Sequence, residues 1–214
     1  MLPSSLFGKS CFAITVLALA STYFYNYILA KKRKPVKKAK AINEVIMFSH
    51  GTIELKKSKY SRCMITESMD RLLYYMNTPR YTLDICMYVM TNLDVSNVVM
   101  KLKHKGVQIR IIIDADMAYA SGSSIKRMER MGIAVRWMKS SNLMHHKFCL
   151  IDASTDNDNT VPCVITGSMN WTNQALYGNW ENVVVTSQSD IVAQYKYEYE
   201  RLWENFRPCS TKGS

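Results

Sequence analysis

A chain of 214 residues with 48% hydrophobic content can bury the core of one ordinary domain and is too short for two. The formal charge of +11 is unevenly placed: residues 1–40 hold eight of the 28 basic residues and no acid, which leaves 20 Lys and Arg against 17 Asp and Glu in 41–214. That distribution excludes a domain that is basic throughout, and it favours a tail facing a membrane surface over a tail that captures nucleic acid.

The first predicted element is apolar. Residues 11–30, CFAITVLALASTYFYNYILA, carry no charge over 20 positions, and at ~1.5 Å rise per residue such a helix spans the ~30 Å hydrocarbon layer. Tyr23, Tyr25 and Tyr27 cluster toward its end, and KKRKPVKKAK follows at once, so the basic side is expected to stay cytosolic. Ala18-Leu19-Ala20 resembles a signal-peptidase site, but seven basic residues after the apolar stretch would resist translocation. The expected organisation is a membrane anchor over 1–30, a basic spacer over 31–41 kept extended by Pro35 and charge repulsion, and one folded domain over 42–214. An apolar span with a basic flank also suits single-pass insertion in the mitochondrial outer membrane, with the domain in the cytosol.

From Val45 onward, short apolar strands alternate with amphipathic helices. The strands are VIMF (45–48), LDICMYV (83–89), VQIRIII (107–113), IAVRWM (133–138), HKFCLID (146–152), PCVITG (162–167) and NVVVT (182–186). Helices are predicted near 66–77, near 95–105 ended by Gly106, over 123–131 ended by Gly132, and from Asp190 to Phe206. This order predicts an α/β fold with a central mixed sheet flanked by helices on both faces. The polar segment ASTDNDNT (153–160) reads as a turn between two antiparallel strands, which is expected to draw Asp152 and the Gly167 turn into one local structure. The six cysteines form no CxxC pair, and Cys86, Cys149 and Cys163 sit in apolar strand-like runs. They indicate a reduced compartment, with neither a disulfide framework nor a cysteine-rich zinc site.

The residues that carry chemistry are His145-His146-Lys147-Phe148-Cys149-Leu150-Ile151-Asp152 and, after the hairpin, Gly167-Ser168-Met169-Asn170. On a strand, positions two apart share a face, so His145 and Lys147 converge while His146 points away. A phosphodiester needs a nucleophile for phosphorus, cationic or polar donors for its oxygens and an acid for the leaving oxygen. His145 can attack, Lys147 supplies a positive charge, and Ser168 and Asn170 can donate hydrogen bonds to the same phosphate.

The pattern HxKxxxxD followed by GSxN resembles the signature of the phospholipase D superfamily, and MHHKFCLID with TGSMNWT is similar to its Zucchini branch, also called mitochondrial cardiolipin hydrolase. The resemblance covers roughly residues 42–206. It implies a two-step reaction through a phosphohistidine, with His145 as nucleophile and Lys147, Asn170 and Ser168 holding phosphate. It further implies that Asp152 orients or balances charge around the site and that Glu181 hydrogen-bonds a catalytic imidazole to fix its tautomer. Superfamily enzymes with two such motifs use the second histidine as the acid, whereas this sequence has one motif. A twofold homodimer would bring a second His145 to the same phosphate.

No cofactor or metal is expected. Zucchini-like proteins often carry a Cys/His zinc motif after the first strand, and here residues 49–65 offer only His50 and Cys63, too few ligands for such a site. His104 and His146 have no evident partner cluster. Tyr195, Tyr197, Tyr199, Trp203 and Phe206 read as packing of the last helix rather than a base-stacking platform, and Lys126, Arg127 and Arg130 read as a solvated basic face. Two substrates suit the site: single-stranded RNA, for which the resemblance implies cleavage of the 5′ ends of piRNA precursors in germline cells, and an anionic phospholipid such as cardiolipin. A nuclease needs a long positive groove and a lipid hydrolase an apolar entrance beside the phosphate. The excess of three positive charges in 41–214 favours RNA. A non-enzymatic membrane adaptor is disfavoured, because every motif residue is present.

Overall fold

The computed structural model describes residues 6–32, 41–49, 54–155, 157 and 159–208. The chain divides into two units between Lys40 and Ala41. The first holds one helix, α1 (Leu6–Lys32), at the place of the predicted apolar span. Among the described residues no helix is long and apolar enough to cross a membrane.

The second unit is built on one eight-stranded sheet in the order β1-β7-β6-β5-β2-β3-β4-β8. Its strands are β1 (Asn43–Phe48), β2 (Thr82–Met87), β3 (Gln108–Ile113), β4 (Ala134–Trp137), β5 (Lys147–Ile151), β6 (Cys163–Gly167), β7 (Glu181–Thr186) and β8 (Arg207–Pro208). β2, β3 and β4 run parallel and every other pairing is antiparallel, so the sheet is mixed as expected. β2 is buried along its whole length, which accounts for its apolar character on both faces.

Helices cover both faces. α2 (Glu67–Met76), α3 (Leu93–His104), α4 (Ile125–Arg130) and the short α5 (Asn173–Tyr177) contribute to the larger core, with Leu72, Val99 and Met128 packed on Ile85, Ile111 and Cys149. α6 (Ser189–Asn205) lies on the other face, where Tyr199 and Leu202 join Phe148, Leu150 and Val164. Local chemistry sets the helix ends. Thr66, Asn92 and Thr172 accept the N–H of Met69, Val95 and Ala175 through their side chains. Gly106 (φ 88°) and Gly132 (φ 74°) end α3 and α4 in the left-handed conformation.

α6 is tied down by a charged cluster that sequence reading did not find. Arg110 of β3 donates to buried Asp84 of β2 at 2.7 Å and to Glu200 of α6 at 2.7 and 2.9 Å, under the rings of Tyr199 and Trp203. These carboxylates and desolvation act in opposite directions on the guanidinium, and the net effect is to raise its pKa. Tyr199 and Phe206 are buried, in agreement with a packing role for the aromatics of this helix, although Tyr197 is exposed.

Candidate active site

The mixed sheet gathers the motif at one end. Met87, the last residue of β2, pairs with Lys147, the first of β5; Phe148 pairs with Thr166, and Gly167 pairs with Val183, two residues after Glu181. The Gly167–Asn170 turn is held by Ser168 N–H to the Asn182 carbonyl (3.1 Å), and the following Trp171 exchanges backbone bonds with Val89, Thr91 and Asn92. Gly167 is required there, because a Cβ would stand 2.0 Å from the Asn182 carbonyl oxygen.

His145 and Lys147 come together as the alternation predicts. Lys147 Nζ lies 3.1 Å from His145 Nδ1 and 3.2 Å from Nε2, and it donates to the His145 carbonyl at 2.9 Å. Tyr88 forms the wall behind them, with its ring centroid 4.7 Å from the imidazole and 5.5 Å from the ammonium. His145 is exposed and Lys147 half-buried. Burial lowers the Lys147 pKa, with the Glu181 carboxylate acting in the opposite direction. The Asn170 side-chain oxygen is buried and has no hydrogen-bond partner among the described residues.

Three expectations require correction. Asp152 is not at the site. The antiparallel β5–β6 register places it at the opposite end of β5 from Lys147, five residues away, so it shares no local structure with the Gly167 turn. There, at φ 51° and 3% exposure, its carboxylate accepts the backbone N–H groups of Arg80, Tyr81 and Thr82 at 2.8–3.1 Å and anchors the chain entering β2. Among the described residues Glu181 bonds no imidazole; it accepts the Ser168 hydroxyl and the Asn179 amide (2.9 Å). Ser168 therefore has its proton engaged by Glu181 and offers nothing further to donate from that hydroxyl. His146 lies 3.3 Å from Glu198 Oε1, a carboxylate also held by Arg201 at 2.8 Å.

Sequence reading also missed Asp114, at the end of β3. This buried carboxylate accepts the N–H of Met144 at 3.0 Å and of Asp116 at 3.1 Å. It thereby pins the residue before His145, and the Met144 side chain itself is buried against Cys86. Of the two residues weighed as zinc ligands, His50 lies outside the described residues and Cys63 is exposed.

Beside His145 opens a cleft of about 700 Å³. Its apolar lining comes from Met138, Leu143, Met144, Leu202 and Phe206, and its polar lining includes His146, Glu198 and Arg201. His145, with the Lys147 ammonium beside it, also lines this partly apolar cleft, and such an arrangement can bind and attack a phosphorus ester.

Comparison with known proteins bears on this arrangement. The family described as "Cardiolipin synthase, PLD-like domain" matches residues 72–203. A "Mitochondrial cardiolipin hydrolase" from Chlamydomonas reinhardtii is 41% identical over 140 residues, which make up 65% of this chain and 59% of that protein. The protein of the same name from Xenopus laevis is 34% identical over 201 residues, 91% of this chain and 88% of that one. Among solved structures, the phospholipase D family member Nuc from Salmonella typhimurium has the same fold, with a TM-score of 0.62 at 20% identity over 80% of this chain and 100% of that one.

Proposed function

We propose, from the premise that this chain belongs to the phospholipase D superfamily and to its mitochondrial cardiolipin hydrolase (Zucchini) branch, that it hydrolyses the phosphodiester of an anionic phospholipid such as cardiolipin, releasing phosphatidate. The observation that carries this reading is the apolar lining of the cleft next to His145, the entrance that a lipid diester needs. The name shared by the relatives agrees with it. Cleavage of single-stranded RNA in piRNA production, favoured by the charge of the domain alone, has less support than the lipid reaction.

In the proposed reaction an imidazole nitrogen of His145 attacks phosphorus and the P–O bond to the leaving alcohol breaks. Lys147 and the Asn170 amide hold the non-bridging oxygens, with Ser168 and Glu181 bracing the turn that carries Asn170. The leaving oxygen takes its proton from His145 of the partner subunit in a homodimer. That imidazole, now neutral, removes a proton from water, which attacks phosphorus and breaks the P–N bond. Asp152 has no part in either step. The uncharged stretch 11–30 and the basic run after it support a single-pass anchor in the mitochondrial outer membrane, with the domain in the cytosol.

The test compares wild type with His145→Ala on cardiolipin vesicles and on single-stranded RNA. Because His145 is exposed, the variant should fold, and its lipid turnover should fall by at least about 10³-fold. RNA cleavage without lipid turnover would replace this reading with the nuclease one, and full lipid turnover by the purified variant would remove His145 as nucleophile.

A further inference from the structure

We propose that the end of the domain bearing His145 is a docking surface for an anionic lipid bilayer, so that the lipid phosphodiester enters the cleft from the headgroup layer. This inference rests on the lipid reading above. The strand directions place the segments after β1, β2, β3 and β4, together with the segment between β6 and β7, at this one end. Those segments and the helix starts that follow them expose Met64, Leu93, Tyr119, Met138, Leu143 and Trp180, with Leu93 at 66%, Leu143 at 60% and Trp180 at 72%. At the opposite end of the sheet, the exposed large hydrophobics among the described residues are Tyr74 in the last turn of α2, Tyr81 and, where α6 begins, Ile191.

Single exposed apolar residues are ordinary on a protein surface; their concentration around one opening is not. The charges on the same segments fit an anionic surface. Lys57, Lys59, Arg62, Lys126, Arg127 and Lys139 are exposed there, against Glu54, Glu67 and Asp116. Tryptophan and tyrosine favour the headgroup level, where an apolar ring and a polar edge are both satisfied, and cations beside them are drawn to anionic lipid. The surface is continuous with the cleft, since Met138 and Leu143 belong to both. A lipid can then present its phosphate to His145 while its acyl chains remain largely in the membrane.

The full chain in phosphatidylcholine–cardiolipin vesicles, with and without acyl-brominated phosphatidylcholine, supplies the test. Bromolipid should quench the tryptophan fluorescence of wild type more than that of Trp180→Phe, and Leu93→Asp should reduce the difference. Equal quenching of wild type and Trp180→Phe would overturn the proposal. A Leu93→Asp/Trp180→Asp double variant should lose about tenfold or more in cardiolipin turnover in vesicles and keep its rate on water-soluble bis(p-nitrophenyl) phosphate. Undiminished vesicle turnover by this double variant would overturn it as well. Because quenching reads contact rather than chemistry, intact quenching without cardiolipin hydrolysis would remove the lipid reaction and leave the docking surface standing.

Discussion

Ser168 donates its hydroxyl proton to Glu181, and the same oxygen accepts the Asn182 amide at 3.1 Å. The pair braces the turn that presents Asn170, and its carboxylate is also the charge that supports the Lys147 ammonium.

The alkaline limb of the pH–rate profile should report that support. Burial lowers the Lys147 pKa, so the ammonium is lost at a lower pH than for an ordinary lysine and the rate declines there as pH rises. Glu181→Gln removes the opposing carboxylate and should shift the limb to still lower pH. Lys147→Arg keeps the charge and should shift it upward, at reduced kcat because a planar fork does not reproduce a point charge. Profiles of kcat against pH for the three proteins check both directions, and coincident limbs would remove Lys147 as the group responsible.

Asp152→Ala should act on stability. It strips three backbone N–H groups of their acceptor and puts alanine at a positive φ, a cost of about 3–4 kcal/mol. Urea unfolding should show the loss, while kcat/KM per folded chain stays near that of wild type. A normal midpoint with abolished turnover would return Asp152 to the chemistry.

Dilution should lower the activity per chain if the proton for the leaving oxygen comes from a second copy. Turnover measured together with sedimentation should follow the dimer fraction. A constant specific activity in the monomeric range would show that one chain carries its own acid.

Chelation should leave turnover intact, because an imidazole, an ammonium and an amide supply the attacking group and the charge on the phosphate oxygens. Assay in EDTA checks this, and complete loss restored by one divalent ion would assign the work to metal.

The strands and principal helices could be read from the sequence because their signals are local: β-branched runs such as QIRIII, a capping Thr66 or Asn92, a terminal Gly106. α5, of five residues, and β8, of two, lack the length to give a period, and β8 exists as a strand only through pairing with the edge of β4. At the site, His145 and Lys147 were legible because alternation along a strand fixes which side chains meet. Asp152 was misplaced because a motif gives order without location; five residues of extended chain put it about 17 Å from Lys147. Asp114 and Glu198 reach Met144 and His146 across separations of 30 and 52 residues, and no local pattern announces such contacts.

Two adjacent histidines differ here only in which side of the backbone each one leaves. The Tyr88 N–H to His146 carbonyl bond and the Met87–Lys147 pairing keep that choice in phase. Removing one residue between Lys139 and Asn142 would pull the following chain toward the wrong phase, exchanging the imidazole that faces the lysine for the one that faces α6. The segment leading into β5 thus constrains the site through its length as much as through its composition.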